Sequence, residues 1–151
     1  MRIVLQRVSR ARVMVDSTVV GEIDRGFLLL VGMEDSDGEA EAIVVAEKIA
    51  GLRVFADEDG RMNLSLSDVD GQALVVSQFT LYGDIRKGRR PSFTRAGDPA
   101  HAASMIDRFV EALNDRGVPT ATGRFGAHME VSLVNDGPVT LIIEAREGKI
   151  L

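Results

Sequence analysis

The stretch Phe27-Leu28-Leu29-Leu30-Val31 is the longest run of large apolar residues in the chain. Five consecutive apolar residues, without the alternation of a half-exposed strand, predict a strand that is covered on both faces. Gly26 and Gly32 stand on either side of the run. Even with Gly32 and Met33 added, it is far shorter than the roughly 20 residues that span a bilayer.

Further strands are predicted on both sides of this run. Alternation over residues 3–8 predicts a strand near the start of the chain. Val13 and Val15 lead to a turn at Asp16-Ser17, and a strand is predicted to return from Val19 to Ile23. Another strand is predicted from Ala73 to Phe79. The last region predicts strands near residues 120–123, 129–134 and 139–145, with Asn135-Asp136-Gly137-Pro138 as the connection between the last two.

Two segments have the apolar spacing of helices. The first runs from Glu39 to Arg53, with Asp37 expected as its cap. The second opens at Asp98-Pro99, as cap and first-turn proline, and ends at Gly117 and Pro119. Its apolar stripe consists of Ala102, Ile106, Phe109 and Leu113.

The order of elements is several strands, a helix, a strand, a helix and more strands. This order predicts an α+β fold, a mostly antiparallel, barrel-like sheet core with two covering helices, rather than a doubly wound parallel sheet. The length of 151 residues, without a visible linker, predicts a single domain over residues 1–151. No secretory or membrane segment is visible, and a cytoplasmic location is expected.

The composition removes several kinds of chemistry. The chain has no cysteine, which excludes disulfides, thiol nucleophiles and cysteine-based zinc sites. His101 and His128 are the only histidines, and we expect an exposed or structural role for both. His128-Met129-Glu130 has the spacing of a deaminase zinc motif but lacks its cysteine pair.

The strand pattern that begins at Ala73 stops at the segment Ser77-Gln78-Phe79-Thr80, which contains two hydroxyls and an amide. Polar groups at a strand end can be presented to a ligand from a rigid frame. Ser77 and Thr80 would each need an activating base to act as a nucleophile, and none is specified nearby. We favour the alternative, in which Ser77 and Thr80 orient a ligand or satisfy backbone groups. The Gly137-Pro138 peptide, also at a strand end, can present backbone groups to a ligand in the same way, and a hairpin turn is the alternative interpretation. The sequence does not fix the isomer of this peptide bond.

A basic run, Arg86-Lys87-Gly88-Arg89-Arg90, carries four positive charges in five residues of a chain with a net charge of −5. Such a block can steer a phosphate-rich ligand to one place. A solvated surface loop is the alternative. Because the run directly follows the segment from Ser77 to Thr80, we favour a binding role.

These motifs make the chain similar to the D-aminoacyl-tRNA deacylases of the bacterial and eukaryotic type, over essentially the full length. The resemblance rests on Ser77-Gln78-Phe79-Thr80-Leu81 and Asn135-Asp136-Gly137-Pro138-Val139-Thr140, both without a departure from the family pattern. Further matching stretches are residues 5–11, 48–53, 62–65 and 86–93.

The resemblance implies hydrolysis of the ester that joins a D-amino acid to the 3′ end of tRNA, by a homodimer with its sites at the subunit interface. Residues Ser77 to Thr80 would line the ester and the terminal adenosine. Gly137-Pro138 would be a cis peptide that enters the partner's pocket and excludes an L side chain, with Arg7 holding that loop. The resemblance implies no metal or cofactor, and the terminal ribose 2′-hydroxyl would assist the attacking water.

The basic residues Arg86, Lys87, Arg89 and Arg90 are expected to bind the tRNA, and glycyl-tRNA is expected as a further substrate. DNA and membranes are not expected as partners. Two other interpretations stay open. One is a non-catalytic RNA-binding module that uses the basic run and Phe93, and the other is a small-molecule esterase that uses Ser77 or Thr80.

Overall fold

One long strand, β1, organises the sheet of the computed structural model, which describes residues 1–151. The other strands are short by comparison, apart from one near the end of the chain. The elements are β1 (Arg2–Val15), β2 (Thr18–Ile23), β3 (Gly26–Gly32), α1 (Glu39–Gly51), β4 (Phe55–Ala56), β5 (Met62–Leu64), β6 (Gln72–Ser77), α2 (Pro99–Asn114), β7 (Thr120–Thr122), β8 (Glu130–Arg146) and β9 (Lys149–Ile150).

The main sheet has the strand order β7-β6-β3-β1-β8-β9, and β2 also pairs with β1. The β3–β6 and β6–β7 pairs are parallel, whereas the remaining pairs are antiparallel. The sheet curls into a half-barrel that two helices cover, which confirms the predicted fold class. No helix is long and apolar enough to cross a membrane.

The central strand β3 is buried on both of its faces, as its continuous apolar pattern predicts. Phe27, Leu29 and Val31 belong to the large core cluster that also contains the apolar stripes of the two helices. Leu28 points to the other face, into a second cluster enclosed by the curled part of the sheet. The alternation of side chains along a strand therefore supplies two cores from one short segment.

The N-terminal end of α1 differs from the prediction. Its cap is Gly38, not Asp37, and the Glu41 side chain accepts a hydrogen bond from the Gly38 N–H at 2.8 Å. The buried Asp37 carboxylate instead accepts hydrogen bonds from the amino group of Met1 and from the Glu34 N–H. A buried ammonium group needs a charged partner, and this requirement determines the role of Asp37.

The second helix agrees closely with its sequence signal. Asp98 is the cap, and its carboxylate accepts hydrogen bonds from the N–H groups of Ala100 and His101 at 3.1 and 3.2 Å. Pro99 occupies the first turn, where its missing N–H needs no partner. Ile106 and Phe109 are buried, as the predicted stripe requires.

The predicted pair of strands at 129–134 and 139–145 is wrong. Both segments belong to the single strand β8, which runs antiparallel to β1 from end to end. Asn135 lies opposite Val8 and Thr140 lies opposite Gln6, so the residues between Asn135 and Thr140 bulge out of a continuous strand. The turn-like composition was therefore a correct signal for irregular backbone but not for a reversal of the chain.

The curled sheet brings β2 against β7 at a glycine. A Cβ atom added to Gly21 would lie 2.3 Å from the Thr122 carbonyl oxygen, which is backbone and cannot move aside cheaply. Gly51, at the end of α1, has no atom within 4 Å of such a position. The two glycines thus differ in whether the fold needs the absence of a side chain.

We predict that Gly21→Ala lowers the free energy of unfolding by roughly 1–3 kcal/mol, because overpacking forces the two strands apart. Gly51→Ala is the matched control and should be neutral or slightly stabilising. Denaturant unfolding of both variants, at one protein concentration, measures the difference. Equal stability of the two variants would contradict the close β2–β7 contact.

Candidate functional site

The site is built where two parallel strands end. Ser77 is the last residue of β6 and lies opposite Val31 of β3, and the Gln78 N–H makes the final bond to the Val31 carbonyl at 2.7 Å. A short 3-10 helix, Phe79–Tyr82, then turns the chain away from the sheet. The predicted strand from Ala73 to Phe79 therefore ends two residues early, at the motif itself.

A cavity of about 380 Å³ opens at this strand end. Ser77, Gln78 and Phe79 contribute the motif side of its wall, and the first turns of α2 contribute another side. The full lining is Val31, Met33, Ser77, Gln78, Phe79, Phe93, Ala96, Gly97, Pro99, Ala102, Ile106, Phe125 and Gly126. The volume lies within the range of small-molecule sites, roughly 300–1,000 Å³.

The mouth of this cavity is aromatic. Phe79, Phe93 and Phe125 are large apolar residues that remain exposed although they line the cavity. The rings of Phe79 and Phe93 meet edge to face, with their centroids 5.1 Å apart. Exposed aromatic rings of this kind suit a planar aromatic group such as a nucleobase, which can stack on them.

The two hydroxyls of the motif have different positions. Ser77 lines the cavity, whereas Thr80 is exposed, lies outside the lining and accepts a hydrogen bond from the Gln78 amide. The lining contains no titratable side chain. His101 is held elsewhere, with its Nε2 atom 2.7 Å from the Asp37 carbonyl oxygen. The cavity therefore presents hydroxyl, amide and backbone groups but no base of its own.

The buried Tyr82 anchors the chain just after the motif Ser77–Thr80. The guanidinium groups of Arg2 and Arg95 lie 5.1 and 5.5 Å from the centre of the Tyr82 ring. Burial, reinforced by the charges of Asp37 and Glu34, raises the pKa of Tyr82. A phenol that stays neutral can pack as an apolar ring, so Tyr82 anchors the chain behind the motif.

The basic run forms a loop that ends just before Phe93, a residue of the cavity wall. Asp84 and Ser92 close this loop with two backbone hydrogen bonds of 2.7 and 2.9 Å, just before Phe93. The Arg86 guanidinium binds both carboxylate oxygens of Asp84 and holds the pKa of that carboxyl well below its usual range. Lys87, Arg89 and Arg90 are exposed and make no ion pair. The loop thus offers three free positive charges rather than four.

The Gly137–Pro138 loop is the bulge of β8, and its peptide bond is cis. Arg7 donates from Nε to the Asp136 carbonyl at 2.8 Å and from a terminal nitrogen to the Val54 carbonyl at 2.5 Å. Gly137 has a φ of +151°, and a Cβ atom there would lie 2.7 Å from the Val139 nitrogen. Only glycine fits this position without rearrangement.

The structure does not bring this loop to the cavity of its own chain. β8 and β6 are separated by β1 and β3, and the loop lies near the row of Val8 and Gly26, whereas Ser77 lies beside Val31. The loop and Ser77 are thus three strand spacings apart across the sheet and five residues apart along it, which corresponds to a distance of roughly 20 Å. The two sequence motifs therefore belong to separate regions of one chain.

Comparison with known proteins identifies the family. The family model described as D-Tyr-tRNA(Tyr) deacylase matches residues 4–144. The chain belongs to this family. A D-aminoacyl-tRNA deacylase of Heliobacterium modesticaldum is 56% identical over 149 residues, which are 99% of each chain. One of Thermus aquaticus is 58% identical over 147 residues, 97% of each chain.

Two solved structures share the fold of the family. One, titled c-Myc DNA Unwinding Element Binding Protein, has a TM-score of 0.89 and 37% identity, and the match covers 97% of this chain and 99% of that one. The other, described as a probable eukaryotic D-amino acid tRNA deacylase, has a TM-score of 0.80 and 19% identity, with 93% and 97% coverage. At that identity the second match shows the fold alone.

Several lining residues were not singled out as site residues from the sequence. Ala102 and Ile106 were predicted as part of a core-facing stripe, and they do pack inward, but the N-terminal part of α2 also forms a wall of the cavity. Met33 and Phe125 have no local motif around them. Their positions follow from how the strand ends assemble, which no single stretch of sequence contains.

Proposed function

We propose that the protein hydrolyses the ester of D-aminoacyl-tRNA and releases free tRNA and the D-amino acid. The observation that carries the proposal is the apolar, aromatic-mouthed cavity formed at Ser77–Phe79 in a chain of this family. Near-identical length and more than half of all residues in common with curated deacylases support the same activity. Aminoacyl-tRNA is used in translation, and we place the reaction in the cytoplasm.

The cavity favours catalysis by positioning. An aminoacyl ester is already activated, so orientation and stabilisation of the developing oxyanion can account for its cleavage. Phe79 and Thr80 begin a 3-10 helix, and the first N–H groups of a helix have no acceptor within it. We propose that these N–H groups face the oxyanion and that the ribose 2′-hydroxyl of the substrate directs the water.

We further propose a homodimer in which each Gly137–Pro138 loop enters the partner's cavity. The separation of roughly 20 Å within one chain supports this arrangement, because one chain alone cannot join the two motifs. An apolar row on the sheet between them supports a docking surface: Ile142 is 71% exposed and lies opposite Val4, which lies opposite Leu30. A two-fold axis makes such a contact self-complementary.

In this dimer the loop would admit only substrates whose α-carbon carries no L side chain. Backbone atoms at Gly137 and Pro138 would occupy the space that an L side chain needs, and Arg7 would hold them there. A filter made of backbone does not depend on the identity of the D side chain. Glycine has a hydrogen atom at both α positions, so the loop would not exclude a glycyl ester.

The deciding experiment uses D-alanyl, glycyl and L-alanyl esters on one tRNA body, so that the RNA contacts cancel. We predict cleavage of the D-alanyl and glycyl esters and resistance of the L-alanyl ester. Loss of a small apolar group costs only about 1–3 kcal/mol, so the glycyl rate should fall within roughly 10–200-fold of the D-alanyl rate. A D-alanyl-tRNA that ends in 2′-deoxyadenosine should be a poor substrate.

Other outcomes of this assay favour other functions. If neither enantiomer is cleaved, a non-catalytic RNA-binding module is the better interpretation. Cleavage that does not require the tRNA indicates a small-molecule esterase that uses Ser77 or Thr80. If the glycyl ester resists as strongly as the L-alanyl ester, the pocket recognises the D side chain positively and the exclusion mechanism is wrong.

Mixed dimers test the shared site. Ala102→Trp fills the cavity and Gly137→Val distorts the loop, so either homodimer should be inactive. A dimer of one chain of each kind, isolated with two different C-terminal tags, holds one intact cavity served by one intact loop. We predict about half of the wild-type activity per dimer, since one site of two is restored. An inactive mixed dimer would show that each site is built from one chain.

The basic loop should contribute to tRNA affinity through its three free cations. With about 0.7–0.9 per phosphate contact, they should give a log–log salt slope of roughly −2 to −3. Replacing Lys87, Arg89 and Arg90 by alanine should flatten that slope, whereas the control Lys149→Ala, on β9, should leave it unchanged. An unaltered slope in the triple variant would return this segment to a solvated loop.

A further inference from the structure

A single side chain closes the neck of the Gly137–Pro138 loop. The Asn135 carbonyl oxygen Oδ1 accepts a hydrogen bond from the Val139 N–H at 2.8 Å. The Asn135 amide nitrogen Nδ2 donates to the Val139 carbonyl at 3.2 Å and to the Thr140 hydroxyl at 3.0 Å. The side chain thus pairs with the backbone of Val139 much as a neighbouring strand would.

This pairing requires an amide. The Val139 N–H can only donate, so it must face the Asn135 oxygen, and this fixes the orientation of the amide group. The amide nitrogen then faces two acceptors, the Val139 carbonyl and the Thr140 hydroxyl. A carboxylate of the same shape would keep the first bond but oppose an oxygen to the Val139 carbonyl.

The loop has one clamp on each of its arms. Arg7 holds the arm before the glycine, at the Asp136 carbonyl, and Asn135 holds the arm after the proline, at Val139. Between the clamps stand only Gly137 and Pro138, which are exposed and have no paired residue on β1. The position of their peptide group therefore depends on the two clamps.

We propose that Asn135 is a positioning residue for enantiomer selection: its clamp on Val139 sets where the Gly137–Pro138 peptide stands in the partner's cavity. The inference rests on the deacylase function and the shared site proposed above. Displacement of a positioned group by about 1 Å can cost on the order of 100-fold in rate. If the loop excludes the L side chain by occupying its space, the selectivity should depend just as strongly on the position of the Gly137–Pro138 peptide.

The test is Asn135→Asp, which conserves the shape of the side chain and reverses one hydrogen-bonding group. We expect the ratio of D-alanyl to L-alanyl ester cleavage to fall at least tenfold. The control is Asn114→Asp, which makes the same change of charge where the side chain only accepts a bond, from Thr120, and should keep the wild-type ratio. Partial unfolding lowers both rates by one factor, so a purely structural role leaves the ratio unchanged.

Mixed dimers show in which subunit the defect acts. When an Asn135→Asp chain is paired with an Ala102→Trp chain, the open cavity receives a wild-type loop, and the ratio should be normal. When one chain carries both substitutions and its partner is wild type, the open cavity receives the altered loop, and the ratio should fall.

Three results would overturn the inference: a homodimer ratio within about threefold of wild type, the same ratio in both mixed dimers, or the defect appearing in the opposite one. Failure of the proposed function looks different. In that case the wild-type protein cleaves neither ester, or the Ala102→Trp and Gly137→Val chains do not complement each other, and the inference about Asn135 falls with it.

Discussion

The structure depends on the backbone pairing of β1, which has partners along both of its edges. β3 and then β2 occupy one edge, and β8 occupies the other from Arg2 to Met14. Because β8 stays paired with β1 on both sides of its bulge, the extra residues between Asn135 and Thr140 cannot pair and must project from the strand as a loop. Both ends of the Gly137–Pro138 loop are therefore held by pairing with β1, whereas the two arms of a hairpin pair with each other.

Local signals in the sequence were sufficient for some elements. Asp98 and Pro99 act within one turn of helix, so their role as cap and first-turn proline follows from the sequence alone. The apolar run from Phe27 to Val31 likewise predicts burial on both faces, whichever elements provide the cover. By contrast, the continuity of β8 follows from its pairing with β1, more than a hundred residues away, and Asp37 was diverted from capping by the distant amino group of Met1.

The candidate site shows the same division. The motif from Ser77 to Phe79 locates the cavity because a strand end and polar residues coincide in one stretch. Phe125 joins that cavity from a loop with no signal of its own. The charge of the basic loop was overcounted from the sequence, since only the structure shows that Asp84 pairs with Arg86 and keeps it beside the loop closure.

The absence of titratable groups from the cavity wall links these observations. An apolar wall with one hydroxyl, one amide and backbone groups can bind and orient an ester but cannot remove a proton from water. In the function that we propose, the missing polar groups come from outside the chain: the hydroxyl from the substrate and the selecting peptide from the second subunit. A site divided in this way needs rigid parts, because each chain must present its loop correctly to a cavity that it does not contain. The clamps of Arg7 and Asn135 meet that requirement with hydrogen bonds to backbone atoms, and this leaves Gly137 and Pro138 free to face the substrate.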